Sequence, residues 1–190
     1  MSVPAVFLDR DGTLIEESGY LDRLDRLRLF PWTVDAVRLL NRAGFKVVVI
    51  TNQSGIGRGL VDEPFVEATH RELRARLEAG GARLDGVYYC PHHPDAEVEA
   101  YRRRCDCRKP ATGLFTRAID ALGLDPARSI AVGDRWYDLE PAIALGGRGV
   151  LVRTGYGDSA LARPSERVAP AHVANNLMEA TTWILRQRGC

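Results

Sequence analysis

Short apolar runs alternate along this chain with longer stretches whose apolar positions recur every three or four residues. Residues 3–8 form the first such run and read as a buried strand. Residues 46–50, Lys-Val-Val-Val-Ile, are rich in β-branched side chains and predict a second buried strand. Further strands are predicted over 86–90, 129–132 and 149–152, with a small edge strand over 172–174. Between them, helical periodicity runs from Pro31 through Leu40 and stops at Ala43-Gly44, where glycine suits the end of a helix. Asp62 is placed to cap a helix that reaches Ala79 and is ended by Gly80-Gly81. Helices are also predicted over 111–122, 138–145 and 175–188. Residues 16–30 are polar with scattered leucines and read as a flap with a short helical turn.

This alternation of strand and helix predicts an α/β fold: a doubly wound, mostly parallel sheet with right-handed crossovers. A length of 190 residues suits one domain spanning 1–190. No insertion is long enough for a separate cap domain. The flap and a cysteine-rich excursion over about 90–107 are the only candidates to cover a site. Internal repeats and low-complexity tracts are absent.

Composition narrows the function. The formal net charge of +1 offers no bulk field for nucleic acid or an acidic membrane. No apolar run is long enough to span a bilayer, and no basic segment precedes an apolar one at the start, so a cytoplasmic protein is expected; a monomer is expected as well. Four cysteines are present, and three of them, Cys90, Cys105 and Cys107, fall within eighteen positions. In a reducing compartment this clustering reads as metal rather than disulfides, with Cys190 a bystander.

The candidate chemistry begins at Asp9-Arg10-Asp11-Gly12-Thr13. Two carboxylates sit two residues apart where a strand ends and a glycine lets the chain turn. Ligands of open parallel sheets bind just beyond the carboxyl ends of the strands. One carboxylate there can attack phosphorus while the other handles the leaving-group proton. Thr51, Lys109 and Asp134 follow, each where a strand ends or a helix begins. Two rim aspartates can hold Mg²⁺, and a hydroxyl with an ammonium can neutralise a transferring phosphoryl group. Gly55-Ile56-Gly57-Arg58-Gly59 is suggestive of a phosphate loop but fits neither dinucleotide nor Walker spacing, and its alternative is a flexible loop before a helix. A second constellation is Cys90-x-His92, twelve residues, then Cys105-x-Cys107. Four such ligands make a closed tetrahedral Zn²⁺ site, structural rather than catalytic. His93 competes with His92, which is preferred because its spacing mirrors the Cys-x-Cys pair. A zinc clip would order the apolar-poor excursion and bring Arg108 and Lys109 beside the site.

The ordered set Asp9-x-Asp11-Gly-Thr, Thr51-Asn-Gln-Ser, Lys109-Pro and Gly133-Asp134-x-x-x-Asp138 resembles the four motifs of the haloacid dehalogenase superfamily. The resemblance implies that Asp9 is a nucleophile forming an aspartyl-phosphate, and that Asp11 protonates the leaving alcohol and then activates water. It implies that Thr51 and Lys109 stabilise the phosphoryl group. Mg²⁺ would be held by the Asp9 carboxylate, the Asp11 backbone carbonyl and Asp134, with Asp138 supporting the metal site. Cys90-Pro-His92-His-Pro with Cys105-Asp-Cys107-Arg108-Lys109-Pro110 resembles the D-glycero-D-manno-heptose-1,7-bisphosphate 7-phosphatases, which serve nucleotide-activated heptose synthesis for lipopolysaccharide or surface glycoproteins. Substrate contacts would map onto Glu17, Ser18, Gly19, Tyr20, Asn52, Gln53, Ser54, Arg108 and Arg135; the last stands where those enzymes usually carry lysine. The implied substrate is a small phosphorylated sugar cleaved at C7. Histidinol-phosphate phosphatases share the zinc loop, with a shorter excursion, and are the alternative. A DNA 3′-end phosphatase or a zinc module binding nucleic acid would need a basic groove or a basic-aromatic stripe that the chain lacks.

Overall fold

Among the described residues six strands form one sheet: β1 (Val3–Leu8), β2 (Lys46–Asn52), β3 (Gly86–Cys90), β4 (Leu124–Gly133), β5 (Arg148–Val152) and β6 (His172–Ala174). Their spatial order is β3-β2-β1-β4-β5-β6 and every neighbouring pair is parallel. The computed structural model describes residues 2–187; the expected helix end at Arg188, and Cys190, lie outside the described residues.

Side chains of successive strand residues point to opposite faces, and both faces are buried. Val6, Leu8, Val47, Val49, Ile130 and Val132 pack on one side against α1 (Thr33–Arg42), α3 (Glu63–Ala79) and α7 (Leu177–Arg186). Ala5, Phe7, Val48, Ile50 and Ala131 pack on the other against α4 (Gly113–Leu122) and α5 (Trp136–Ala144). There Phe7 meets Phe115 with ring centroids 4.8 Å apart. A hydrophobic side chain of this kind contributes roughly 1.5–3 kcal/mol when fully buried, and β1 and β2 bury such side chains on both faces. The helix predicted from Asp62 forms as α3, and the Asp62 carboxylate accepts the Phe65 N–H at 2.8 Å. No helix among the described residues is long and apolar enough to cross a membrane.

Several segments differ from the sequence reading. Residues 54–59 are no flexible loop: Ser54–Gly57 closes into a short helix, α2, because Ile56 inserts into the interior. A Cβ on Gly57 would stand 3.0 Å from Ala96 Cβ, and the Gly57 carbonyl accepts the Val98 N–H at 2.9 Å. That glycine admits the cysteine-rich excursion rather than a phosphate. In the flap, Leu21 and Leu27 are buried and Arg76 donates to the Leu27 carbonyl at 2.8 Å, so its leucines are anchors. Strand β4 begins five residues early. Val3 and Pro4 pair with Leu124 and Asp125, the register then shifts, and pairing resumes at Val6 with Ile130. Across the gap Ser129 Oγ accepts the Ala5 N–H at 2.9 Å and donates to the Asp125 carbonyl. A short helix over Gly157–Leu161, α6, has no counterpart in the sequence reading.

Candidate active site and cysteine cluster

The register of the sheet sets the rim. Leu8 lies opposite Val49 on one side and Val132 on the other, so the residues that follow β1 and β4 emerge together beside Thr51 of β2. Asp9 continues β1 by donating its N–H to the Val132 carbonyl at 3.0 Å. Asp134 follows β4. Gly12 and Gly155 both have positive φ, and a Cβ on either would come within 2.3 Å of Asp134 Oδ2. Glycine is therefore required at both turns that close around this carboxylate. Tyr156 N–H donates to the same oxygen at 2.7 Å.

Lys109 reaches this rim from the excursion between β3 and α4. Its Nζ lies 2.7 Å from Asp9 Oδ1 and 2.6 Å from Asp138 Oδ1, and donates to the Ile50 carbonyl at 2.7 Å. Asn52 fixes the Lys109 backbone from both sides, accepting its N–H at 3.0 Å and donating to its carbonyl at 3.2 Å. Asp138 accepts the Arg135 N–H at 3.0 Å, which sets the first turn of α5.

Burial dominates the electrostatics. It pushes the Asp9 carboxyl up to about 7; Lys109 pulls against it, and Asp138 and Asp11 add to the rise. Burial likewise pushes Asp134 up to about 8, with Asp138 and Asp9 adding and the Tyr156 N–H opposing. For Lys109 burial disfavours the charge, but Asp138 and Asp9 outweigh it and hold the ammonium firmly protonated. Asp9, Asp134 and Asp138 bring carboxylate oxygens within 4.8 Å of one another. Three acids against one ammonium leave a deficit of positive charge, and carboxylate oxygens suit a hard dication. The donor set fits Mg²⁺.

A pocket opens above this floor. Asp9, Asp11, Thr51, Asp134 and Arg135 line it, with Glu17, Gly19, Tyr20, Asn52, Gln53 and Ser54 of the expected substrate contacts. Ser18 is not in its wall, and Lys109 lies beneath it. Arg108 sits in the excursion, where its Nη1 donates to the His92 carbonyl at 3.1 Å. Arg135 lies flat on Tyr156, its guanidinium carbon 3.6 Å from the ring centroid. Burial, then the nearby Asp11 charge, pushes the Glu17 carboxyl up. The sequence reading missed Arg10, Tyr137 and Tyr156, which also line the pocket. Tyr156 stands four residues beyond β5, at the start of α6, a helix absent from the sequence reading, so the strand-end signal that found Asp134 did not mark it.

The excursion gathers Cys90, His92, Cys105 and Cys107. Cys107 Sγ lies 3.2 Å from both other sulfurs and from His92 Nδ1; Cys90 and Cys105 are 3.6 Å apart. Zn–S bonds of about 2.3 Å give a tetrahedron with edges of roughly 3.8 Å, so the cluster fits Zn²⁺ with slight expansion. His93 points elsewhere and accepts the Asp95 N–H at 3.1 Å. Burial pushes the Cys90 thiol well up, and its hydrogen bond with Cys107 adds to this. Burial also raises Cys107, whereas at Cys105 bonds from Cys107 and Cys90 outweigh burial and lower it. The phenol groups of Tyr89 and Tyr101 both donate to Glu63, at 2.8 Å each, and tie the excursion to the start of α3.

Comparison with known proteins places this architecture. A HAD-hydrolase-like family profile matches residues 106–180. D-glycero-beta-D-manno-heptose-1,7-bisphosphate 7-phosphatase of Escherichia coli O6:H1 is 47% identical over 188 residues, covering 98% of this chain and 97% of that one. The protein of the same name from Haemophilus ducreyi is 41% identical, covering 97% and 100%. A crystal structure of D,D-heptose 1,7-bisphosphate phosphatase from B. bronchiseptica, complexed with magnesium and phosphate, superposes with a TM-score of 0.86 at 31% identity, covering 97% and 99%. With near-full-length identity at this level, the chain belongs to the D-glycero-beta-D-manno-heptose-1,7-bisphosphate 7-phosphatase family of HAD-like hydrolases.

Proposed function

We propose that this chain acts as a single phosphatase domain that removes the C7 phosphate of D-glycero-D-manno-heptose 1,7-bisphosphate through an aspartyl-phosphate on Asp9. The observation that carries this reading is Asp9 itself: it directly follows β1, is bound by Lys109, and lines a pocket together with Asp11. Names of the relatives supply the substrate, and specify its β form. Mg²⁺, held by Asp9, the Asp11 carbonyl and Asp134, supplies charge that offsets the repulsion between a carboxylate and a phosphate dianion. Magnesium and phosphate in the B. bronchiseptica protein support that choice of ion. Asp9 attacks phosphorus, Asp11 gives its proton to the departing oxygen, and Asp11 then takes a proton from the water that hydrolyses the acyl phosphate. Thr51 and Lys109 bind the phosphoryl oxygens. Glu17, Gly19, Tyr20, Gln53 and Ser54 surround the sugar while Asn52 holds the Lys109 backbone, and Arg135 in the wall, with Arg108 from the excursion beside it, grips the second phosphate. A structural Zn²⁺ on Cys90, His92, Cys105 and Cys107 holds Arg108 and Lys109 in place. The protein works in the cytoplasm as a monomer and binds no nucleic acid or membrane.

Asp9→Asn should abolish turnover by several orders of magnitude while leaving the circular dichroism spectrum unchanged, since it removes the nucleophile. Retention of a tenth of wild-type kcat would contradict covalent catalysis.

Cys107→Ser should lower zinc content and melting temperature together, because a closed site contributes its binding energy to folding. Zinc loss measured by atomic absorption, with the melting temperature unmoved, would contradict a structural metal.

Protonation and Mg²⁺ compete for the same carboxylates. Asp9 and Asp134 have folded-state values of about 7 and about 8, above the ordinary 3.8 of the unfolded chain. The folded state therefore holds extra protons between these values, and metal-free protein loses stability as pH rises through them. Thermal melts in EDTA should show this fall, Asp134→Asn should flatten it, and Mg²⁺ should reverse it. A melting temperature that rises from pH 5 to 8 in EDTA would contradict the buried acid cluster.

Substrate choice tests the reading most directly. The wild type should cleave heptose 1,7-bisphosphate with a much higher kcat/KM than histidinol phosphate, whose far end is cationic. Arg108→Ala should cost roughly 1.5–3 kcal/mol of transition-state binding on the bisphosphate and little on a monophosphate. Equal losses on both, or faster turnover of histidinol phosphate, would remove the assignment.

A further inference from the structure

Arg10 stands between the two motif aspartates in sequence, and its side chain turns inward. It is 3% exposed. Its guanidinium meets Asp11 as a fork, Nε donating to Oδ2 at 3.1 Å and Nη2 to Oδ1 at 2.9 Å. Nη2 also donates to Gln53 Oε1 at 2.9 Å. Gln53 Nε2 in turn donates to Asp11 Oδ2 at 3.0 Å and to Thr51 Oγ1 at 2.8 Å. The remaining nitrogen, Nη1, faces His70 Nε2 at 3.3 Å. His70 is buried on α3, sixty residues away in sequence, with its ring 5.5 Å from that of Tyr89. Guanidinium is a donor only, so His70 Nε2 must accept, and its ring is neutral with the proton on Nδ1.

We infer that Arg10, backed by His70, is a positioning residue that fixes the orientation of the Asp11 carboxylate for proton transfer to the leaving oxygen. The inference rests on the phosphatase reading above. Asp11 is 21% exposed at the pocket wall, and without support its carboxylate is free to rotate. A planar fork engaging both oxygens leaves it one orientation. Oδ2 already accepts twice, from Arg10 Nε and Gln53 Nε2, but Oδ1 accepts only from Nη2 and keeps a lone pair, so the proton sits on Oδ1. When the bond between phosphorus and the leaving oxygen breaks, its electron pair stays on that oxygen, which takes the proton from Asp11. The fork then stabilises the carboxylate left behind, the form needed to accept a proton from water in the second step. His70 prevents Arg10 from turning away, because Nη1 has its acceptor there.

A leaving-group comparison tests this. The constant kcat/KM covers steps up to departure of the leaving group. An alkoxide leaving from an alkyl phosphate must receive a proton at that step, whereas 4-nitrophenyl phosphate releases 4-nitrophenolate, a stable anion that needs none. Arg10→Lys keeps the charge and loses the fork. It should lower kcat/KM for heptose 1,7-bisphosphate at least about tenfold, within the range of general acid catalysis, and that for 4-nitrophenyl phosphate less than about threefold. His70→Leu should show the same selectivity at smaller size. His70→Gln, whose amide oxygen can accept from Nη1, should restore values close to wild type and serves where the leucine variant does not fold. Equal losses on both esters, or no loss on the bisphosphate in Arg10→Lys, would overturn the inference while leaving the phosphatase reading intact. Wild-type protein that cleaves neither ester would overturn both.

Discussion

The charge balance beneath Asp9 governs this molecule. Lys109 Nζ is a single ammonium set among Asp9, Asp138 and, one turn away, Asp134. Burying charges costs several kcal/mol per ion, and pairing recovers that only when geometry is good. Here the geometry is good for Lys109, which has two carboxylates and a carbonyl within 2.7 Å. The carboxylates are left with one cation too few. That shortfall gives the folded chain an affinity for a dication that it would otherwise lack, and it makes the fold and the chemistry depend on the same atoms. Much of the surrounding structure serves to deliver Lys109: the Asn52 clamp on its backbone, the Asp138 carboxylate at the start of α5, and the excursion that carries it in.

Most of the strand–helix alternation was legible because both faces of the sheet are covered. β-branched runs such as 46–50 have no polar alternative when buried on both sides. The rim residues Asp9, Thr51 and Asp134 were legible for a related reason, since each directly ends or follows such a run. What escaped was set by contacts far apart in sequence. Nothing local to His70 distinguishes it from any other polar residue on a helix; only the fold brings Arg10 to it. Residues 55–59 were misread because their glycines suggested a loop, whereas burial of Ile56 and the approach of Val98 decide the conformation. Asn52 was expected to touch substrate, and its side chain is occupied by both backbone groups of Lys109. Spacing alone found the cysteine cluster, since ligands two apart on an extended chain face the same way.

The excursion is held at more than one point. Its sulfur and imidazole groups converge on one side, and Tyr89 and Tyr101 converge on Glu63 on the other. Apolar packing contributes little across 94–104. Polar and metal-type contacts therefore replace the hydrophobic core that so short a polar segment cannot build for itself. Rigidity of the sequence between Cys107 and Pro110 follows, and with it the fixed height of Lys109 under the pocket.

The interruption in β4 has a different significance. Between Asp125 and Ser129 the ladder to β1 is broken, and the Ser129 hydroxyl stands in for the missing backbone acceptor before pairing resumes at Ile130. The break lies at the opposite end of the sheet from Asp134. Register upstream of the break is set separately from register downstream, so a shift of that turn is not carried along the ladder to the rim. The three residues between Asp125 and Ser129 are the place where a peptide tag can be spliced into the middle of the chain, at the end of the sheet away from the rim.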